Sequence, residues 1–572
     1  MKKNSANFRI LILFFLILGA AGGIATRLFS IQVLKHGFYQ ALASDQHDLL
    51  QKLAPQRGEI FIKEKDGVWH PLAVNRNFEK VFLVPSEVKD KNEVAAKIAP
   101  ILGMEEEKIL DKLKNPEDPY EPLKSKLDDE TAQKIKILNL AGVHLISENW
   151  RWYPQGTLAS NVLGFLGIKN DEKVGQYGLE EFYEKKLAGQ SGFLKSQKDA
   201  LGRWLMLSDF SSEPPQDGAK LYLTLDQNIQ YLTEQKLKDV IEKWGAVSGC
   251  AIIIEPKSGA IRVLASFPNF DPNEYSKVEN VSVFLNNCTQ ELYEPGSVFK
   301  PIVMAAGLDT GKISPETLFM DKGSVQIGSH IIKNSQEKVY GESSMTKTLE
   351  KSINTGAVFV QQLIGGAVFK NYIETFGFDK KSQVDLAGEA AGSLKNIKEN
   401  KEINFATASF GQGIAVTPLE MTMAIGAIAN EGRLMRPYLV EKIVESDGQQ
   451  KITEPQVMRQ IISSQTAAKL TAMLVSTVRN GYDKIKIKNY YIAGKTGTAQ
   501  VPDTSKGGYS QETIHSFVGY APAYNPKFLI FLKVDKPHGI EFASQSLSPV
   551  FGELTQYLLN YYEIPPEEQP RN

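Results

Sequence analysis

Cysteine is almost missing from this 572-residue chain. Two residues, Cys250 and Cys288, are too few for a disulfide-stapled small scaffold. Cys250 lies in the apolar run GCAIIIEP and reads as a buried core thiol. Histidine is scattered over positions 36, 47, 70, 144, 330, 515 and 538, without metal-ligand spacing, and no HExxH occurs. No metal or cofactor is therefore expected. Neither sign of charge dominates: Lys+Arg 65 against Asp+Glu 66 leaves a formal −1, which argues against a general nucleic-acid binder. Internal repeats and low-complexity tracts are also lacking. A chain of this length exceeds one core and implies roughly two to four domains.

What is present starts at the N-terminus. Residues 1–9 carry Lys2, Lys3 and Arg9, and no charge follows from Ile10 to Thr26. With Arg27 snorkelling, segment 10–30 is long enough to span about 30 Å of hydrocarbon. It is expected to be a single-pass anchor with a cytoplasmic N-terminus and everything after it outside. A cleaved signal peptide is the rival reading, through the small residues Ala20-Ala21-Gly22. Gly19 and Gly23 form a GxxxG, a face on which a partner helix can approach closely.

Segment 31–210 mixes strands, such as PQRGEIFI and KVFLVPS, with the amphipathic stretches NEVAAKIAPIL, EEEKILDKL and DETAQKIKILNL. Residues 211–220, SSEPPQDGAK, have linker composition. From 221 to 563, LYLTLD is followed by a helix over 228–244 and a hairpin over 249–266 turning at PKSG. Three more strands are expected near the end, in YYIAGKTGTAQV, HSFVGYAP and KFLIFLKVD, with helices between the two groups. The layout is α+β, with strands from both ends meeting in one sheet. The tail 564–572 reads as disordered.

The stretch YEPGSVFKP (293–301) carries the first chemical signal. If a helix begins at Gly296 or Ser297, Ser297 and Lys300 are neighbours on its first turn. Pro301 is tolerated there because that turn has no N–H bonds to lose. KSINTG then supplies Ser352 and Asn354, and AGKTGTAQ supplies Lys495, Thr496, Gly497 and Thr498. S-x-x-K, S-x-N and K-T-G in this order form the pattern of penicillin-binding proteins and serine β-lactamases.

The resemblance extends further. EPGSVFKP, RGEI (57–60), RWYPQGTLASNVLGFLG (151–167), GQYGLEEFYEKKLAGQSG (175–192) and DALGR (199–203) are similar to class B penicillin-binding proteins over most of the chain. The resemblance implies an anchor helix, a non-catalytic pedestal over 31–210, and a serine β-lactamase-like transpeptidase domain with an antiparallel sheet flanked by helices. It also implies DD-transpeptidation of D-Ala-D-Ala stem peptides, with carboxypeptidase action as a side activity, and acylation by β-lactams. Ser297 would be the nucleophile and Lys300 its base, with Lys495 supplying a positive field. Ser352 would relay a proton, and Asn354 would bind a substrate amide or hold Lys300. The N–H groups of Ser297 and Thr498 would form the oxyanion hole. Thr496, Thr498 and Lys495 would bind the terminal carboxylate, and side-chain-free Gly497 would let the substrate strand lie close. Arg57, Glu59, Arg151, Glu180 and His515 are expected to be structural, and FGQG (410–413) is given no chemistry.

One departure stands out. Asn286-Asn287-Cys288 occurs where the family often has Asn-Arg-Ala, which predicts a local packing change. A β-lactamase needs a water-activating glutamate in an ExxLN-like stretch; the nearest, ENVSVFLNN (279–287), has the wrong spacing. A β-lactam sensor would need HExxH and several membrane spans. A catalytically idle scaffold is disfavoured by the intact motifs. No glycosyltransferase segment precedes the pedestal, so a separate membrane glycan-strand polymerase is the expected partner. The division-type group is favoured over the elongation type.

Overall fold

The run Gly249–Ile254 offers no strongly polar side chain to either face, as suits a strand covered on both sides. The computed structural model describes Gly19, 21–27, Phe29, 48–53, 55–118, 120–169, 172–197, 211–485, 487–502 and 507–567. In it the run lies within strand Ser248–Ile254, second in a five-stranded antiparallel sheet. The order is Ile261–Phe267, Ser248–Ile254, Phe528–Asp535, Tyr509–Ala521, Ala493–Pro502, so strands from both ends of this half meet as expected. Alternation sorts the side chains. Ala251, Ile253 and Leu532 face a core shared with helices Gln227–Trp244 and Ser548–Tyr561. Ile252, Ile254 and Phe531 face a larger core holding helices Lys300–Asp309 and Pro418–Ala429. Helix Gln227–Trp244 starts where Asp226 accepts the N–H groups of Asn228 and Ile229, and ends at Gly245 with φ 58.

A second sheet has seven strands. Its path runs Gln450–Ile452, Val440–Val444, Lys220–Asp226, Ile60–Lys63, Trp69–Leu83, Glu121–Leu127, and Val143–Trp152 also pairs with Trp69–Leu83. LYLTLD, read as opening the catalytic half, thus belongs to the pedestal's sheet: Lys220–Asp226 pairs parallel with Ile60–Lys63. The expected helices appear as Lys91–Leu102, Glu106–Lys112 and Asp129–Leu138 and cover one end of this sheet. Arg57 and Arg151 converge on Glu180, at 2.6 and 2.7 Å, inside the pedestal, and Glu59 pairs with Lys220.

The chain divides into two compact units, residues 57–188 with 219–572, described above, and residues 1–56 with 189–218. The latter holds an antiparallel sheet of Asp48–Leu53, Gly192–Gln197 and Ser211–Glu213. The expected linker 211–220 is therefore partly a strand, and Gly218 N–H donates to the Gln56 carbonyl. Of the apolar segment 10–30, Gly19, 21–27 and Phe29 are helical and the rest lies outside the described residues, as do 1–9. Among the described residues no helix is long and apolar enough to cross a membrane. Of the tail read as disordered, Glu567 N–H donates to Asn489 O and Ile564 O accepts the Tyr490 hydroxyl; 568–572 lie outside the described residues.

Cys250 is not a free core thiol. It is disulfide-bonded to Cys288, with Cα atoms 5.4 Å apart. The Asn286–Cys288 turn packs beneath the sheet, where Asn287 Nδ2 donates to Phe267 O, and this brings the sulfurs together. The anticipated packing change is thus a covalent one. Closing a loop of 38 residues contributes about 4 kcal/mol by chain entropy.

Candidate active site

Pro295 leads into a 3-10 turn, Gly296–Phe299, which passes into helix Lys300–Asp309. A 3-10 turn eclipses residues three apart, so Ser297 is stacked over Lys300 more directly than an α-helical turn would place it. Pro301 sits in the helix's first turn, as expected. The helix is buried all round, which brings Lys300 to 0 % exposure while Ser297 stays partly open. Gly296, at φ 57, has no room for a side chain: a Cβ would lie 3.0 Å from that of Ala499. The FGQG stretch serves this turn. Gly411 O accepts Gly296 N–H at 3.0 Å, and a Cβ on Gly411 would collide with Gly296 backbone.

Lys300 Nζ donates to Ser352 O at 2.5 Å and Asn354 Oδ1 at 2.8 Å, and lies 3.1 Å from the Ser352 hydroxyl. No carboxylate is among these partners. Burial, and next the Lys495 ammonium, push the Lys300 amine well below the ordinary lysine range. Both oxygens of Ser352 reach Lys300 because its backbone has φ 55, a left-handed conformation costing an L-residue roughly 1–3 kcal/mol. Asn354, first residue of helix Asn354–Ile364, also donates Nδ2 to Lys333 O, so its amide is committed to holding Lys300.

Lys495 is buried in the edge strand Ala493–Pro502, and its Nζ donates to Ser352 Oγ at 3.1 Å and Thr496 O at 3.0 Å. Ser352 Oγ therefore joins the two lysines. Thr496 N–H donates to the Tyr482 hydroxyl at 3.1 Å. Both backbone groups of Thr496 thus point away from the neighbouring strand. Orientation alternates along an antiparallel edge, so Thr498 N–H points outward too. Ser297, Ser352, Asn354, Thr496 and Thr498 line one cavity of about 290 Å³. Gly497 is there for a different reason from the one expected. A Cβ would strike Ser516 Oγ, the Pro295 carbonyl and Val298 at 2.5–3.0 Å, so its bareness seats the nucleophile turn on the strand. His515 is fully buried with Nδ1 2.8 Å from Ser546 Oγ, and burial lowers it to about 4, leaving a neutral structural imidazole. Sequence reasoning missed Tyr482, which no motif marks.

Residues 249–556 match the penicillin-binding protein transpeptidase domain, and 52–223 match the penicillin-binding protein dimerisation domain. The chain is 31 % identical to stage V sporulation protein D of Bacillus subtilis, covering 99 % of this chain and 88 % of that one. It is 28 % identical to the peptidoglycan D,D-transpeptidase FtsI of Escherichia coli K12, over 91 % and 86 % of the two chains. Penicillin-binding protein 2X of Streptococcus thermophilus has the same fold, at TM-score 0.74 and 22 % identity, covering 90 % of this chain and 80 % of that one. With both domain matches in one chain, it belongs to the class B penicillin-binding proteins. It is a serine-type transpeptidase.

Proposed function

We propose that the chain cross-links D-Ala-D-Ala stem peptides of peptidoglycan through a Ser297 acyl-enzyme. The observation that carries this reading is Lys300: a fully buried amine whose hydrogen-bond partners include no carboxylate, one 3-10 turn after a partly open serine. Neutral Lys300 takes the Ser297 hydroxyl proton as Oγ attacks the penultimate D-Ala carbonyl. The Ser297 and Thr498 N–H groups receive the oxyanion; such a donor is typically worth on the order of 10²–10³ in rate. Collapse breaks the peptide bond, and Ser352, hydrogen-bonded to both lysines, passes a proton to the departing D-Ala amine. An amine of a neighbouring stem then attacks the ester, loses its proton and frees Ser297. Thr496, Thr498 and Lys495 hold the terminal carboxylate. β-Lactams acylate the same serine.

The basic-then-apolar N-terminus supports a single-pass anchor with the catalytic domain outside the cytoplasmic membrane. The buried disulfide supports the same compartment. A membrane glycan-strand polymerase is the partner proposed for the Gly19/Gly23 face. Relatives bearing the FtsI name support a septal role.

The test is the intact mass of the purified ectodomain after brief penicillin exposure, beside Ser297→Ala. A long-lived adduct on the wild type alone is expected, and its absence from folded wild type would sink the reading. For the septal role, depletion should give filaments; rounded cells would point to elongation instead.

A further inference from the structure

Tyr482 follows helix Ser464–Gly481 and is 8 % exposed, its ring set edge-on against Phe517 with centroids 5.7 Å apart. Its hydroxyl has three neighbours: Thr496 N at 3.1 Å, Thr496 Oγ1 at 2.8 Å and Lys495 Nζ at 3.5 Å. A phenol has one proton to give. The Thr496 amide and the Lys495 ammonium can only donate, so the Tyr482 oxygen accepts from them. Its own proton is left for Thr496 Oγ1, the one acceptor of the three. Thr496 Oγ1 thereby accepts from the phenol, and its hydroxyl hydrogen is free for the cavity that Thr496 lines.

We propose that Tyr482 is a positioning residue that holds the Thr496 hydroxyl as a donor toward an anionic substrate terminus. It relays the polarity of Lys495 through two hydroxyls, and its effect is confined to substrates bearing a carboxylate there. Tyr482 also occupies the outward N–H of Thr496. An extended peptide adding to this strand edge therefore finds its first free outward amide at Thr498. Tyr482 in this way sets the register in which a substrate docks. The inference rests on the transpeptidase reading and refines its carboxylate site.

The test uses the purified ectodomain and two probes, a fluorescent penicillin and the methyl ester of its ring carboxylate, which stands in for the peptide terminus. Tyr482→Phe keeps the ring and should slow acylation by the free acid about tenfold, the scale of one hydrogen bond to a charged group. The slower reaction with the ester should be unchanged. Thr496→Val should give a similar loss, and the double variant should be no worse than Thr496→Val alone, because both changes act through the same Thr496 hydrogen bond to the carboxylate. Equal slowing with both probes, or additive losses, would overturn the inference and leave the transpeptidase intact. Wild type that forms no adduct with either probe would overturn the function and this inference together.

Discussion

Two places in the molecule bring a pair of buried basic side chains onto one central residue. In the pedestal, Arg57 and Arg151 meet on Glu180, which also accepts the Tyr153 hydroxyl at 3.1 Å. In the cleft, Lys300 and Lys495 meet on the Ser352 hydroxyl, each at 3.1 Å. Glu180, Lys300 and Lys495 all have 0 % exposure. The outcomes are opposite. Burial alone would raise the Glu180 carboxyl, but Arg151 and Arg57 hold it below the ordinary range. Lys300 has a hydroxyl where Arg57 has a carboxylate, so nothing offsets its burial and its proton is loosely held. Lys533 serves as an internal control. It is equally buried, but beside Asp535 and Glu291, which overcome desolvation and raise it. Burial is common to all three sites; the presence of a carboxylate decides whether the result is a clamp or a base.

The comparison can be broken from either side. Lys300→Met should cut the acylation rate by about 10²–10⁴, the usual contribution of a general base. Its melting temperature should stay level or rise, because a buried, desolvated amine is exchanged for an apolar side chain. A fall in stability matching the loss of activity would show that Lys300 is a structural ion after all. Glu180→Gln should do the reverse, costing about 3–5 kcal/mol in denaturant unfolding by leaving the buried Arg151 guanidinium without a carboxylate, while Arg57 keeps Glu184. That deficit should be full above the ordinary carboxylate pKa and shrink below it as the unfolded chain takes up the proton. It should be gone once pH has fallen through the depressed pKa of folded Glu180, where wild type loses the charge as well. The smallest effect concerns pH. Acylation should rise with pH as Lys300 loses its proton. In Lys495→Met the midpoint of that rise should move upward, since the neighbouring cation that lowers Lys300 is gone. An unmoved midpoint would leave burial as the sole cause.

Much of this was legible in the chain because it is local. Ser297 and Lys300, the PKSG hairpin and the apolar strand Phe528–Asp535 each carry their pattern within a few residues. What escaped depends on distant segments meeting. Cys250 and Cys288 are 38 residues apart, and nothing in either neighbourhood announces the other. Lys220–Asp226 has the composition of a strand, but no local signal says which sheet receives it. Gly497 looked like room for substrate because the sequence does not say which way a Cβ would point. Tyr482 reaches Thr496 only through the path of the chain between them, and an isolated tyrosine advertises no such role.

The strand Lys220–Asp226 has one further consequence. It lies between Val440–Val444, from deep in the catalytic half, and Ile60–Lys63, from the pedestal. A cut at residue 220 therefore leaves no clean module. It bares the edge built to receive Ile60–Lys63, the kind of surface on which soluble proteins aggregate. Expression of the catalytic half by itself, or recombination of pedestals between homologues, runs against this shared sheet. Through this strand the two parts of the enzyme share one sheet, and neither keeps it whole without the other.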